Sequence, residues 1–289
     1  MTNYRIFTDS GCDLSTEFLN ELNVSALSLT FRFTGEDKEY SNNEMNIQEF
    51  YGKMRDGGVA KTAAVNVEAF SREFRKTLEA GEDILYLGFS SGLSTTYNSA
   101  RIAAENLKGQ FPERTIRVLD SLTASAGQGL LVYLTAERRS EGASLEDAYE
   151  YASELAPKIC AWFTVDDLVY LKRGGRVSAV AAMVGGMLGI KPVLHVDDEG
   201  HLVNITKVRG RKNAIMALAE KYGELAVTPD TGSIFISHAD CLQDAEELAH
   251  ILKTKYGAPE VKVITDVGTV IGAHSGPGTL ALFFVGKSR

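Results

Sequence analysis

The chain has 289 residues, 44% of them apolar and 24% charged, and its 30 Lys plus Arg against 38 Asp plus Glu give a formal net charge of −8. That length allows one large domain or two modest ones, and the apolar content excludes collagenous, disulfide-scaffolded and disordered chains. With a pI near 5.3, the acidic balance argues against nucleic acid or an anionic membrane as the main partner, since either requires a concentrated basic face.

Cys12, Cys160 and Cys241 lie far apart, at neither metal nor redox spacing, and read as reduced thiols of a cytoplasmic protein. The start of the chain meets Arg5 before any apolar signal core, so no secretory segment is expected. The longest weakly polar run, Ala179 to Ile190, is too short to span a bilayer, so no stable membrane insertion is expected.

Short β-branched and aromatic runs alternate with longer stretches of helical period, the pattern of an α/β protein with mainly parallel sheets. In chain order the predicted strands are Tyr4 to Thr8, Ser25 to Phe33, Ile84 to Phe89, Thr115 to Leu119 and Cys160 to Val165, then Lys191 to Val196, Leu202 to Val208, Ser233 to Ser237, Val261 to Ile264 and Thr279 to Val285. Between them, Val67, Phe70, Phe74 and Leu78 fall on one helical stripe. Ser144 with Asp147 predicts a capping box that opens a helix to about Leu155. The segment Asp197-Asp198-Glu199-Gly200 predicts a hairpin. A boundary near Pro157 would give two α/β domains, 1–157 and 158–289.

Ligands of open parallel sheets bind beyond the carboxyl ends of strands, so the residues that follow each strand carry the functional information. Three such ends bring hydroxyls: Thr8-Asp9-Ser10, the turn from Ser90 to Ser99, and Asp120-Ser121-Leu122-Thr123. Each can be a plain helix cap. Together, neutral donors beside helix N-termini suit an anionic oxygen, carboxylate or phosphate.

Gly92-Leu93-Ser94-Thr95-Thr96 comes within one residue of a nucleophile elbow, and His274 could act as the base of a serine esterase or acyl hydrolase. The second Gly of that elbow is missing. Gly286-Lys287-Ser288 lacks the upstream Gly of a phosphate-binding loop, and the five His show no paired metal spacing. Lys172-Arg173-Gly174-Gly175-Arg176 reads as a compact basic loop, followed by a Gly- and Ala-rich stretch, Val177 to Leu188, that suits either close helix packing or a narrow channel. A second basic cluster spans Lys207 to Lys212, and His274 sits in a Gly-rich turn open to a ligand.

These residues resemble the DegV family, bacterial proteins that bind long-chain fatty acids and include the fatty-acid-binding subunits of fatty acid kinases. The resemblance covers essentially the whole chain. It rests on Thr8-Asp9-Ser10, Lys61-Thr62, Ser90-Ser91-Gly92-Leu93-Ser94 with Thr96-Tyr97, Asp120-Ser121, Leu171 to Arg176, Lys191-Pro192 and His274-Ser275-Gly276-Pro277-Gly278. Two positions depart from the family pattern: Ala63-Ala64-Val65-Asn66 follows Thr62, and the Ser-Gly-Thr-Tyr run reads Ser94-Thr95-Thr96-Tyr97.

The resemblance implies two α/β domains with a lipid tunnel at their junction. It implies a carboxylate held by Thr62, Ser94, Thr95 and His274, and Arg176, Arg209 and Arg211 near the head group or a kinase-docking surface. It further implies a non-catalytic carrier of a long-chain fatty acid, without a cofactor or metal, that presents the carboxylate to a fatty acid kinase. A serine hydrolase using Ser94 and His274, and a module for a phosphorylated small molecule, stand as the alternatives.

Overall fold

In the computed structural model, which describes residues 3–177, 189–227 and 232–289, the predicted strands other than Ser25 to Phe33 form with small changes at the ends. The first half contains Tyr4–Asp9 (β1), Thr16–Glu21 (α1), Val24–Leu27 (β2), Thr30–Phe33 (β3), Tyr40–Ser41 (β4), Ile47–Arg55 (α2), Ala60–Ala63 (β5) and Val67–Glu79 (α3). Asp83–Gly88 (β6), Thr96–Lys108 (α4), Ile116–Asp120 (β7), Ala126–Ser140 (α5) and Leu145–Leu155 (α6) follow. After a 3-10 turn at Ala156–Lys158 come Ile159–Thr164 (β8), Val169–Gly174 (α7), Ile190–Val196 (β9), Leu202–Arg209 (β10) and Arg211–Leu225 (α8). Phe235–His238 (β11), Leu242–Tyr256 (α9), Val263–Asp266 (β12), Thr269–Ser275 (α10) and Leu280–Val285 (β13) complete the described chain. The small-residue stretch predicted at 177–188 lies, apart from Val177, outside the described residues.

Local chemistry explains the helix starts. Ser144 and Asp147 form the predicted reciprocal capping box of α6. Asn66 accepts the Ala69 N–H at 2.8 Å to open α3, whose Phe70, Phe74 and Leu78 are buried as one stripe.

The strand predicted over Ser25 to Phe33 is two strands. Val24–Leu27 joins a parallel sheet of order β2-β1-β6-β7, and Thr30–Phe33 leaves it for a small antiparallel sheet of order β4-β3-β5. The break falls where side chains capture the backbone: Ser10 Oγ accepts the Leu29 N–H at 2.9 Å, and Ser28 Oγ accepts the Asn42 N–H at 3.1 Å. Those bonds replace ladder bonds. Strand β5, Ala-Lys-Thr-Ala, has neither alternation nor β-branched enrichment, so the pattern does not reveal it; pairing with β3 creates it, with Thr62 opposite Phe31.

The third sheet has order β10-β9-β8-β13-β11-β12. Here the expectation of mainly parallel strands is corrected: only β11 and β12 pair in parallel, and the other neighbours are antiparallel. Two routes cause this. The predicted hairpin joins β9 to β10, and after β12 the chain passes through α10, which packs against α2 and β5 of the first half, and re-enters the sheet antiparallel to β11.

Helix α5 lies between the two larger sheets and contacts β6, β8, β11 and β13. Its Leu130 and Leu131 share one core with Leu85, Leu87, Phe163 and Phe283. Gly127 permits this closeness, since a Cβ there would stand 2.7 Å from the Phe283 ring. Burying such large side chains contributes roughly 1.5–3 kcal/mol each, and the shared core couples the sheets.

Candidate functional site

A cavity of about 390 Å³ opens between the sheets. Phe89 and Leu93 line it from the end of β6, and Ala161, Phe163, Ala281 and Phe283 line it from β8 and β13. Thr62, Ser94, Thr95, Arg176 and His274 line the same cavity. Arg209 and Arg211 do not: Arg209 is exposed at the end of β10, and Arg211 is committed to Asp244 at 2.8 Å and Asp166 at 3.7 Å.

Helix α10 is held at its start by buried polar groups. Asn42 Oδ1 accepts the Val270 N–H at 2.9 Å, Asp13 Oδ1 accepts the Gly268 N–H at 3.0 Å, and the Tyr51 hydroxyl donates to the Val267 carbonyl at 2.6 Å. Helical spacing then turns Val270, Ile271, His274 and Ser275 to the cavity. His274 Nε2 lies 2.8 Å from Thr62 Oγ1.

The predicted basic loop is the end of helix α7. Gly175, left-handed at φ 72°, closes the helix, and Arg176 follows it. A Cβ at Gly174 would overlap His274 Nδ1, so glycine is what lets α7 lie against the imidazole. Arg176 donates from Nε to the Leu93 carbonyl at 3.2 Å and from Nη1 to the Gly174 carbonyl. No carboxylate pairs with it among the described residues. Burial lowers the Arg176 pKa. Burial first, and the Arg176 charge second, push His274 down to about 4, so the imidazole is neutral at physiological pH.

The turn after β6 is fastened at both ends. Ser90 O accepts the N–H groups of Leu93 and Ser94 at 3.1 and 3.0 Å, and Ser90 Oγ donates to the Gly200 carbonyl of the β9–β10 hairpin at 2.9 Å. Ser94 Oγ accepts the Thr96 N–H at 3.2 Å and bonds Thr96 Oγ1 at 2.9 Å. Thr95 stands at the start of α4 with no side-chain cap bond, which leaves its exposed hydroxyl available.

The other two hydroxyl-bearing strand ends serve the fold. Asp9 is wholly buried and accepts from Tyr86 OH at 2.6 Å, the Phe89 N–H at 3.0 Å and Gln128 at 3.2 Å, with burial raising its pKa. Asp120 accepts the N–H groups of Ser91 and Leu122 and shapes the turns beside the site.

Sequence reasoning missed three cavity-lining serines, Ser125, Ser237 and Ser275. Ser237 ends a predicted strand, and Ser275 stands inside the motif noted for His274; a count of polar residues at those positions would have drawn attention to both.

The cavity is a mainly apolar chamber whose lining includes the Thr62–His274 bond and Arg176, which donates to the Leu93 carbonyl beside Ser94. Its volume lies in the ordinary range for small-molecule sites. Among the described residues no cluster of three His, Cys, Asp or Glu is placed to hold a metal ion, and no helix is long and apolar enough to cross a membrane.

A family model described as "Uncharacterised protein, DegV family" matches residues 3–287. The chain belongs to the DegV family. A DegV domain-containing protein of Clostridium perfringens is 41% identical over all of this chain and 99% of its own length. Among solved structures, a fatty-acid-binding DegV family protein from Thermus thermophilus is similar with a TM-score of 0.89 at 28% identity, over 99% of this chain and 100% of that one. A stearic acid-binding protein from Eubacterium ventriosum has a TM-score of 0.87 at 27% identity, over 98% of each chain. The similarity extends over nearly the whole chain.

Proposed function

We propose that this DegV protein is a carrier that binds a long-chain fatty acid, with the carboxylate at Thr62, Ser94, Thr95, His274 and Arg176 and the tail in the apolar chamber. The Thr62–His274 bond, together with an Arg176 that has no paired acid among the described residues, in the lining of one apolar cavity, carries the reading. We take 1–157 and 158–289 as the two units that enclose the ligand. The names of the Thermus and Eubacterium proteins agree with this ligand class.

The protonation pattern supports a carboxylate. Neutral His274 has one ring proton. On Nε2 it donates to Thr62 Oγ1 and leaves the Thr62 hydrogen free for a carboxylate oxygen; on Nδ1 it would be a buried N–H, and Nδ1 has no partner among the described residues. Arg176, half-buried without a paired acid, gains a counter-charge from the same carboxylate. Burying about 14 methylenes at roughly 0.8 kcal/mol each gives on the order of 11 kcal/mol before ordering costs.

The hydrolase alternative gains nothing from the geometry. His274 bonds Thr62 rather than Ser94, and no acid orients its Nδ1 among the described residues. The reading extends to presentation of the carboxylate to a fatty acid kinase, with exposed Arg209 as the docking cation and Arg211 held back by its acids.

Mass spectrometry of organic extracts from the purified protein, followed by titration of the delipidated chain with stearic acid, tests the carrier. A co-purified fatty acid and saturable binding are expected. Absence of both overturns the reading.

A further inference from the structure

Ser237 stands where an alkyl tail needs only apolar contact. Across the six-stranded sheet it pairs with Ala281, which pairs with Phe163, and all three line the cavity. Its hydroxyl is the start of a directed chain. Ser237 Oγ lies 2.9 Å from Ser125 Oγ, and Ser125 Oγ donates to Asp13 Oδ2 at 2.6 Å. Asp13 is fixed in turn by the Gly268 N–H on its other oxygen.

Each serine has one hydroxyl hydrogen. When Asp13 is ionised, Ser125 spends its hydrogen on the carboxylate, so Ser237 must donate to Ser125. The Ser237 oxygen is then left with a free lone pair and no donor among the described residues, and it lines the chamber as an acceptor. Ser125 holds this arrangement at φ 55° and ψ −147°, a strained backbone for a residue with a side chain. Glycine would relieve that strain, but only a side-chain hydroxyl links Asp13 to Ser237.

A second buried hydroxyl lines the same cavity. Ser275 Oγ lines the cavity, is buried and has no partner among the described residues. It is tied to the end of β11 through Thr279, which donates to the Ser275 carbonyl at 3.1 Å and accepts the Ala239 N–H at 2.8 Å.

Resting on the fatty-acid reading, we propose that the Asp13–Ser125–Ser237 chain forms a subsite for a hydroxyl borne on the acyl chain, which makes hydroxylated long-chain fatty acids a ligand class of this cavity. A carboxylate is repelled here, since it meets a lone pair with the Asp13 charge behind it, and so the acid end is directed to Arg176, His274 and Thr62. A methylene leaves the acceptor unused. A hydroxyl donates to Ser237.

The test is calorimetric titration of the delipidated full chain with stearic acid and with a positional series of monohydroxystearic acids, well above neutral pH so that Asp13 is ionised. One positional isomer is expected to bind about ten-fold tighter than its neighbours in the series, and Ser237→Ala is expected to erase that preference. Stearic acid binding with no discrimination among isomers, or a preference that survives Ser237→Ala, overturns the subsite and leaves the carrier reading intact. No binding of stearic acid overturns both. The isomer preference itself is read on the unsubstituted chain, and Ser237→Thr, which keeps the hydroxyl, is expected to retain it.

Discussion

The Thr62 hydroxyl and His274 Nε2 lie 2.8 Å apart although 212 positions separate them in the chain. Strand β5 and helix α10 each reach across from opposite halves to make that bond. With the ring proton on Nε2, His274 donates to Thr62 and the single Thr62 hydroxyl hydrogen is free for another acceptor.

Thr62→Val keeps the shape of the side chain and removes the donor. Fatty acid affinity is expected to fall about 10- to 100-fold, the worth of one hydrogen bond to a charged group, whereas Thr62→Ser retains most of it. Titration of the three delipidated proteins with stearic acid measures the difference.

Arg176→Met keeps an unbranched stem and removes the charge. The unsubstituted chain is expected to prefer the free acid over its methyl ester, and the variant to lose most of that preference. Competition between acid and ester for one site reads it; an unchanged ratio would show that Arg176 does not meet the carboxylate.

Stability should carry two opposed pH dependences. His274 is depressed from 6.5 to about 4 by burial. Between those values the unfolded chain binds the proton and the native one does not, so His274 makes stability fall as pH drops through the window, by about 3 kcal/mol at most. Asp13 is raised from 3.8 to about 7, also by burial. There the native state holds the proton, and stability falls as pH rises. Urea unfolding between about pH 4 and 6.5 should show a stability difference between the unsubstituted chain and His274→Gln that moves in favour of the unsubstituted chain as pH rises.

Arg289 is a cation among carbonyls. It donates to Leu122 at 2.6 Å, Asp197 at 2.9 Å, Ala156 at 2.6 Å and Ile159 at 3.1 Å, and so joins the turn after β7, the β9–β10 hairpin and the start of β8. Burial lowers its pKa, with the nearby Asp198 charge opposing the shift. Arg289→Ala is expected to destabilise the protein by about 2–3 kcal/mol, as several partly buried carbonyls lose a charged donor; thermal melting measures it.

Arg209→Ala lies outside the cavity and is expected to leave stearic acid binding unchanged while slowing phosphorylation of the bound acid by a fatty acid kinase. Equal rates for variant and parent would remove Arg209 from the docking surface.

Periodicity, capping and turn residues made most elements legible, because each depends on neighbours a few positions away. The α3 stripe, the Ser144 capping box and the hairpin at Asp197 follow from such local rules. The family resemblance also marked Thr62, Ser94, Thr95, Arg176 and His274, and the structure brings all five to one cavity.

What only the tertiary structure decided lies between elements. Strand β5 exists because β3 pairs with it, and the six-stranded sheet is largely antiparallel because α10 carries the chain to the other half and back. Asp9 and Arg211 look functional as residue types, but partners distant in sequence commit them to the fold. Ser237 looks like an ordinary strand residue, and only its contact with Ser125, which is itself bonded to Asp13, gives its hydroxyl a direction. Local pattern determines which backbone an amino acid favours; the direction of a hydrogen bond is settled by whatever the packed chain places on its other side.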